Sequence, residues 1–167
     1  GPESLHQMSF SHVESMGNFS PNALPLTSAE ESTVGNPEEC FQMKGRNYSY
    51  LFLEMYLKYV FVSQNLDIKN FKVIAELGSG MGRQIELLKK LYPDISFLVF
   101  DIPPTIYVAE RYLKAVFPNQ VKTYQETRDM NDLSDLEPGM IYIFGAQDFP
   151  HIKTAQIDLF WNAASFG

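Results

Sequence analysis

Cysteine is almost absent from this 167-residue chain. Cys40 stands alone, so no intramolecular disulfide can staple the fold, and it is read as a structural thiol. Histidine is nearly as scarce. His6, His12 and His151 stand far apart with no ligand-type spacing between them, and no metal site is expected. Bases are the minority, 13 against 20 acids, which leaves a net charge of −7. Phosphate backbones call for a basic face, so this balance argues against a nucleic-acid partner. Long apolar runs are missing as well. The nearest, Tyr48 to Val62, carries Glu54 and Lys58 and is too short to span a bilayer. No basic region followed by an apolar one opens the chain, so no signal peptide is read. Gly1-Pro2 reads as a protease scar, and a cytoplasmic location is expected.

What is present suits a globular domain: 45% hydrophobic and 14% aromatic residues, in a length that fits one core. Residues 1–45 are rich in Ser, Asn, Pro and Glu with little periodicity, and read as an irregular N-terminal arm, a helical or irregular extension to the domain. Residues 46–167 read as the folded domain. Tyr48 to Gln64 has the pattern of an aromatic helix packing on a sheet, and Gly45-Arg46-Asn47-Tyr48 before it is a candidate to reach a bound cofactor. Phe71 to Leu77 reads as a strand, and Gly82 to Leu91 as a helix with Ile85, Leu88 and Leu91 on one face. Phe97 to Ile102 is a second strand. Pro103-Pro104 then fit a helix start, with Ile106, Ala109, Leu113, Val116 and Phe117 buried. Val121 to Tyr124 is a possible short strand. Met140 to Phe144 and Ile157 to Trp161 are clearer ones.

The densest information lies at Glu76-Leu77-Gly78-Ser79-Gly80-Met81-Gly82-Arg83, where a strand runs into three alternate glycines and then a helix. Such glycines let backbone pass close to a ligand where a Cβ would clash. A dinucleotide fingerprint would place its third glycine at position 83, which is Arg83. The spacing instead resembles motif I of class I S-adenosylmethionine (SAM) methyltransferases, and the segment reads as a SAM loop. Asp101 ends the second strand 23 positions after Gly78, where an acid meets a cofactor ribose. Its carboxylate can accept from both ribose hydroxyls.

The cofactor-binding set is therefore Glu76, Gly78, Ser79, Gly80, Gly82, Asp101, Ile102, Gln147 and Asp148. Gln147 and Asp148 follow the third strand, where class I enzymes commonly contact the adenine amino group. Glu76 can bond loop N–H groups or approach the methionine amino group. His151 and Asn162 are weak catalytic candidates. The first is otherwise a surface histidine in a Phe-Pro-His turn, and the second either orients an acceptor hydroxyl or holds its loop by an Asx-type bond. His6 and His12 rank lower, in the arm.

Three segments are similar to a bacterial family of sugar O-methyltransferases. They are Glu76 to Gln84, Phe100 to Tyr107 running on to Arg111-Tyr112-Leu113, and Asp158 to Gly167. The resemblance implies a Rossmann-like class I methyltransferase sheet of order 3-2-1-4-5-7-6, SAM as cofactor, and a saccharide or glycoconjugate as acceptor. This chain supplies strands 3, 2, 1 and 4 and lacks the C-terminal ones. The free edge of its last strand is then open to self-association. The alternatives are an NAD(P)-dependent oxidoreductase, which Asp101 would serve equally well, and a non-catalytic cofactor-binding fragment. Glycine spacing, and the lack of a clear Tyr-x-x-x-Lys pair, argue against the oxidoreductase.

Overall fold

The computed structural model describes residues 1–37, 39–130, 132–153 and 156–163. The chain divides into two compact units, Gly1–Lys69 and Asn70–Gly167.

The first unit opens with α1 (Pro2–Phe19), the helical form of the helical or irregular extension expected there. Its polar composition hides a narrow apolar face. Phe10, Val13 and Gly17 fall three and four residues apart and are buried, and Pro2 sits in the first turn, where its missing N–H costs nothing. A hairpin follows, β1 (Phe41–Met43) and β2 (Arg46–Tyr48), turned by Lys44 and Gly45, both at positive φ. Helix α2 (Tyr50–Ser63) starts later than its apolar pattern suggests. The Ser49 side chain accepts from the Phe52 N–H at 3.1 Å and so fixes the N-cap, which leaves Tyr48 to the strand. The aromatic stripe of α2 serves this unit's own core. Tyr56 Oη donates to Leu24 O at 2.7 Å, and Tyr59 Oη accepts from Leu24 N at 2.8 Å. Burial pushes the Tyr48 hydroxyl up to about 12. Cys40 is exposed rather than packed, its thiol 3.7 Å from Glu31 Oε2.

The second unit is built on a five-stranded parallel sheet: β3 (Val73–Leu77), β4 (Ser96–Asp101), β5 (Val121–Lys122), β6 (Ile141–Gly145) and β7 (Leu159–Trp161). The order is β5-β6-β4-β3-β7. The expected 3-2-1-4 arrangement is thus present as β6-β4-β3-β7, with β5 added outside β6. The middle strand, β4, is buried on both faces from Ser96 to Phe100, as the unbroken apolar run requires. On one face Ala75, Leu98, Phe100, Tyr142 and Phe144 pack with Leu133 and Ile152. Helix α3 (Arg83–Leu91) connects β3 to β4, and α4 (Thr105–Val116) packs against β4 and β6. In α4, Ile106, Ala109, Tyr112 and Leu113 are buried, whereas Val116 and Phe117 are only half-buried at its frayed end. A one-turn helix, α5 (Tyr124–Thr127), precedes β6. The last strand is shorter than its apolar run, because Asp158 leaves the strand face to accept from the N–H groups of Lys72 and Val73 at 2.7 and 2.9 Å. Among the described residues no helix is long and apolar enough to cross a membrane.

Helix α1 comes close to α2 at Gly17, where an added Cβ would lie 1.9 Å from the hydroxyl oxygen of buried Tyr56. Overpacking of this kind costs about 1–3 kcal/mol, against less than about 1 kcal/mol regained in helix propensity near a helix end. Gly17→Ala is therefore expected to lower the urea midpoint of unfolding. An unchanged midpoint would mean that Tyr56 moves aside without loss.

Candidate functional site

All five strands of the sheet run parallel, so their C-terminal ends share one edge, and the loops that leave it gather there. The first is the glycine loop after β3. Gly78 N donates to Phe100 O at 2.8 Å, carrying the β3–β4 pairing one residue beyond the strand. Gly82 N donates to Ser79 O at 3.0 Å and closes the turn, and Gly82 O accepts the Glu86 N–H at 2.9 Å as the first bond of α3.

Gly78, Gly80 and Gly82 all have positive φ, at 77°, 57° and 87°. Two of them do different work. An added Cβ at Gly80 meets nothing within 4 Å, so the space over this residue is open. One at Gly82 would sit 2.9 Å from the side chain of Leu113 on α4, so Gly82 is needed by the fold itself.

Asp101 ends β4 beside this loop. Its Oδ2 accepts from Gly80 N at 3.0 Å and its Oδ1 from Ile102 N at 2.7 Å. Each oxygen keeps a further lone pair, so the carboxylate is fixed in place and can still accept. Ile102 follows with its side chain 61% exposed, an apolar surface next to the acid. Pro103 and Pro104, joined by a cis peptide bond, lead into α4.

Gly145 is the register partner of Asp101 on β6, which brings Gln147 and Asp148 to the same edge. Asp148 Oδ2 accepts from Gly145 N at 3.1 Å, so one of its oxygens caps its own turn. Gln147 is exposed, and its Nε2 donates to Tyr124 Oη at 2.9 Å. Tyr124 opens α5, whose Thr123–Glu126 capping box holds the Glu126 carboxyl below the usual range, chiefly through the Thr123 backbone N–H.

Glu76 is buried at the end of β3, in register with Val99 and Trp161. Ser79 Oγ is buried within the loop and makes no hydrogen bond to the described residues. Asn162 directly follows Trp161 on the other side of β3, while His151 is exposed at the end of the 3-10 turn Ala146–His151. Hydrogen bonds therefore join Gly78 to Phe100 and Gly80 to Asp101, whose other oxygen takes the Ile102 N–H. Gln147 and Asp148 reach the group only through strand register. The arm histidines belong to the first unit: His6 and His12 are on α1, His6 stacks on Phe41 at 4.3 Å, and Gly45 to Tyr48 are part of that unit's hairpin. Residues 164–167, part of the last family-like segment, lie outside the described residues. Among those described, no three His, Cys, Asp or Glu side chains could hold a metal ion.

Sequence reading passed over the group that holds the loop from below. Glu86 is fully buried on α3. It accepts the hydroxyl of Tyr112 on α4, takes Lys90 Nζ at 3.0 Å, and has Arg83 Nη1 at 3.8 Å. Arg83 Nη1 also donates to Tyr112 Oη at 2.8 Å, with its guanidinium 4.5 Å from the Tyr112 ring centroid. The available signal was one acid inside an apolar helix pattern, which alone points to no partner.

A parallel sheet with a glycine-rich turn at a strand end and an acid on the neighbouring strand is a Rossmann-like arrangement. Residues 46–133 match the O-methyltransferase domain family, a span of just over half the chain. The chain belongs to that family, and it is a methyltransferase domain; members generally use SAM. The match covers the glycine loop and Asp101 but stops short of Gln147, Asp148, His151 and Asn162, and it does not favour the oxidoreductase reading. No curated protein and no solved structure matches the chain.

The two glycines predict different responses to alanine. Both substitutions force a side chain into the left-handed region, at about 1–2 kcal/mol. Only Gly82→Ala adds a clash with Leu113, worth about 1–3 kcal/mol more. Chemical unfolding should rank Gly82→Ala as clearly less stable than Gly80→Ala, and equal losses would refute this division of roles.

Proposed function

We propose that this domain binds SAM at the C-terminal edge of its sheet and transfers the methyl group to a hydroxyl of a saccharide or glycoconjugate. The observation that carries the cofactor half is the Asp101 carboxylate, locked to Gly80 N and Ile102 N beside the open space over Gly80. SAM, when bound, supplies a charged sulfonium whose methyl group is already activated for transfer. The residues present fit it. Asp101 accepts from the ribose hydroxyls, Ile102 offers apolar surface to the adenine, and Gln147 or Asp148 accepts from its amino group. Ser79 and Gly80 line the approach, and Glu76 orders the loop from the strand end.

The saccharide acceptor rests on the Asp-Ile-Pro-Pro and Asn-x-x-Ser-Phe segments, which resemble the sugar O-methyltransferases. A sugar hydroxyl is a poor nucleophile at neutral pH, so transfer needs alignment first and a proton acceptor second. Asn162 and His151 follow β7 and β6 on either side of the loop, and are the acceptor-side candidates we carry forward. We also propose self-association through the outer edge of β7, whose N–H and C=O groups seek a strand partner.

Calorimetric titration with SAM, S-adenosylhomocysteine and NAD tests the cofactor. Asp101→Ala should weaken S-adenosylhomocysteine by about 1.5–3 kcal/mol, the range for hydrogen bonds to charged groups, and Asp101→Asn by less. Tight NAD binding without SAM binding would sink the proposal. Transfer of labelled methyl to a saccharide panel tests the acceptor, and transfer only to non-sugar hydroxyls would remove the saccharide assignment. Light scattering across concentration tests the edge: a monomer throughout would refute self-association.

A further inference from the structure

The cofactor loop has a second anchor, on α3 and α4. Gly82 and Arg83 are the junction between the loop and α3. Both are gripped by consecutive residues of α4. Leu113 sits where a Gly82 side chain would go, and Tyr112 takes Arg83 by a 2.8 Å hydrogen bond and a stacked ring. The Tyr112 hydroxyl also donates to Glu86, one turn into α3 and fully buried. A buried carboxylate is tolerated only where its partners are fixed, and here Lys90 and Arg83 are also among them. This makes the contact specific in direction as well as position, which apolar packing alone would not be.

The other end of α4 matters equally. The helix begins at Thr105, immediately after the Asp101-Ile102-Pro103-Pro104 corner. One rigid helix therefore holds the ribose acid at its start and the loop–helix junction two turns on. The two halves of the cofactor site are fixed to each other through it, beneath the direct Gly80–Asp101 bond.

We infer that Tyr112 is a positioning residue for the cofactor loop: its hydroxyl, shared between Arg83 and Glu86, sets the register of α3 on α4 and so places Gly80 against Asp101. This rests on the cofactor reading above. Apolar burial of Ile85, Leu87, Leu88 and Leu91 holds α3 in the domain, but such packing is non-directional; the hydroxyl adds direction, and a misplacement of an ångström at a binding group is costly.

The test uses the full chain. Tyr112→Phe keeps the ring under Arg83 and removes only the shared hydroxyl. Calorimetric titration at a temperature where the protein is fully folded should show S-adenosylhomocysteine affinity down about five- to tenfold, about 1–1.4 kcal/mol. Ser96→Ala is the control. It deletes a 2.9 Å bond to Glu137 O at the opposite end of β4, so it lowers thermal stability in the same unit and leaves affinity unchanged. If Tyr112→Phe does not fold, Arg83→Lys takes its place, because it keeps the charge and cannot both stack and donate to Tyr112. Parent-level affinity in the folded variant, with only its melting temperature reduced, would overturn the inference and leave the cofactor reading standing. Failure of the unsubstituted chain to bind S-adenosylhomocysteine would overturn both.

Discussion

Two hydrogen bonds from the glycine loop to the end of β4 decide where everything else in this site can stand. Gly78 N–H to Phe100 O, at 2.8 Å, extends the sheet pairing into the loop. Gly80 N–H to the Asp101 carboxylate, at 3.0 Å, then aims it. The first bond is available because parallel strands offer evenly spaced donors and acceptors up to their last residue. The second is available because a glycine at φ 57° can turn its N–H toward the neighbouring strand. A carboxylate that accepts from loop backbone is ordered before any ligand arrives. Preorganisation of that kind lowers the entropic cost of binding.

The spacing of the glycines follows from this geometry and from the helices below. Gly80 is small for the sake of the space above it, and Gly82 for the sake of Leu113 beneath it. A pattern that looks uniform in the sequence thus serves two opposed surfaces. The same division explains why a dinucleotide-type glycine at position 83 is replaceable here. Arg83 there donates to Tyr112, and the close approach to a helix is made by Gly82, one residue earlier.

Much of the second unit was legible because its signals are local and redundant. An apolar run such as Phe97 to Val99 is buried on both faces and can be little else than a central parallel strand. The loop and Asp101 were legible as a pair, since a βαβ unit fixes their separation. The first unit was not. α1 has three buried positions in a polar sequence, and its stability comes from tertiary contacts such as Gly17 on Tyr56, which no local pattern records. The start of α2 was misplaced because one capping serine outweighs a longer apolar run. The Glu86 group escaped for a related reason, since its members lie 26 and 29 residues apart on two helices and mean little singly.

The two sides of the proposed reaction are held by different physics. On the proposed cofactor side stand backbone N–H groups and one strand-end carboxylate, held by sheet register and by the Gly80–Asp101 bond. On the acceptor side the candidates, His151 and Asn162, stand on a 3-10 turn and just past a three-residue strand. Loop-borne groups on a rigid frame can change without disturbing the frame. A methyl donor shared by a whole family is best recognised by the part of the fold least free to vary, and the acceptor by the part most free. The family match covers the loop and Asp101 and ends before His151 and Asn162, as this division would have it.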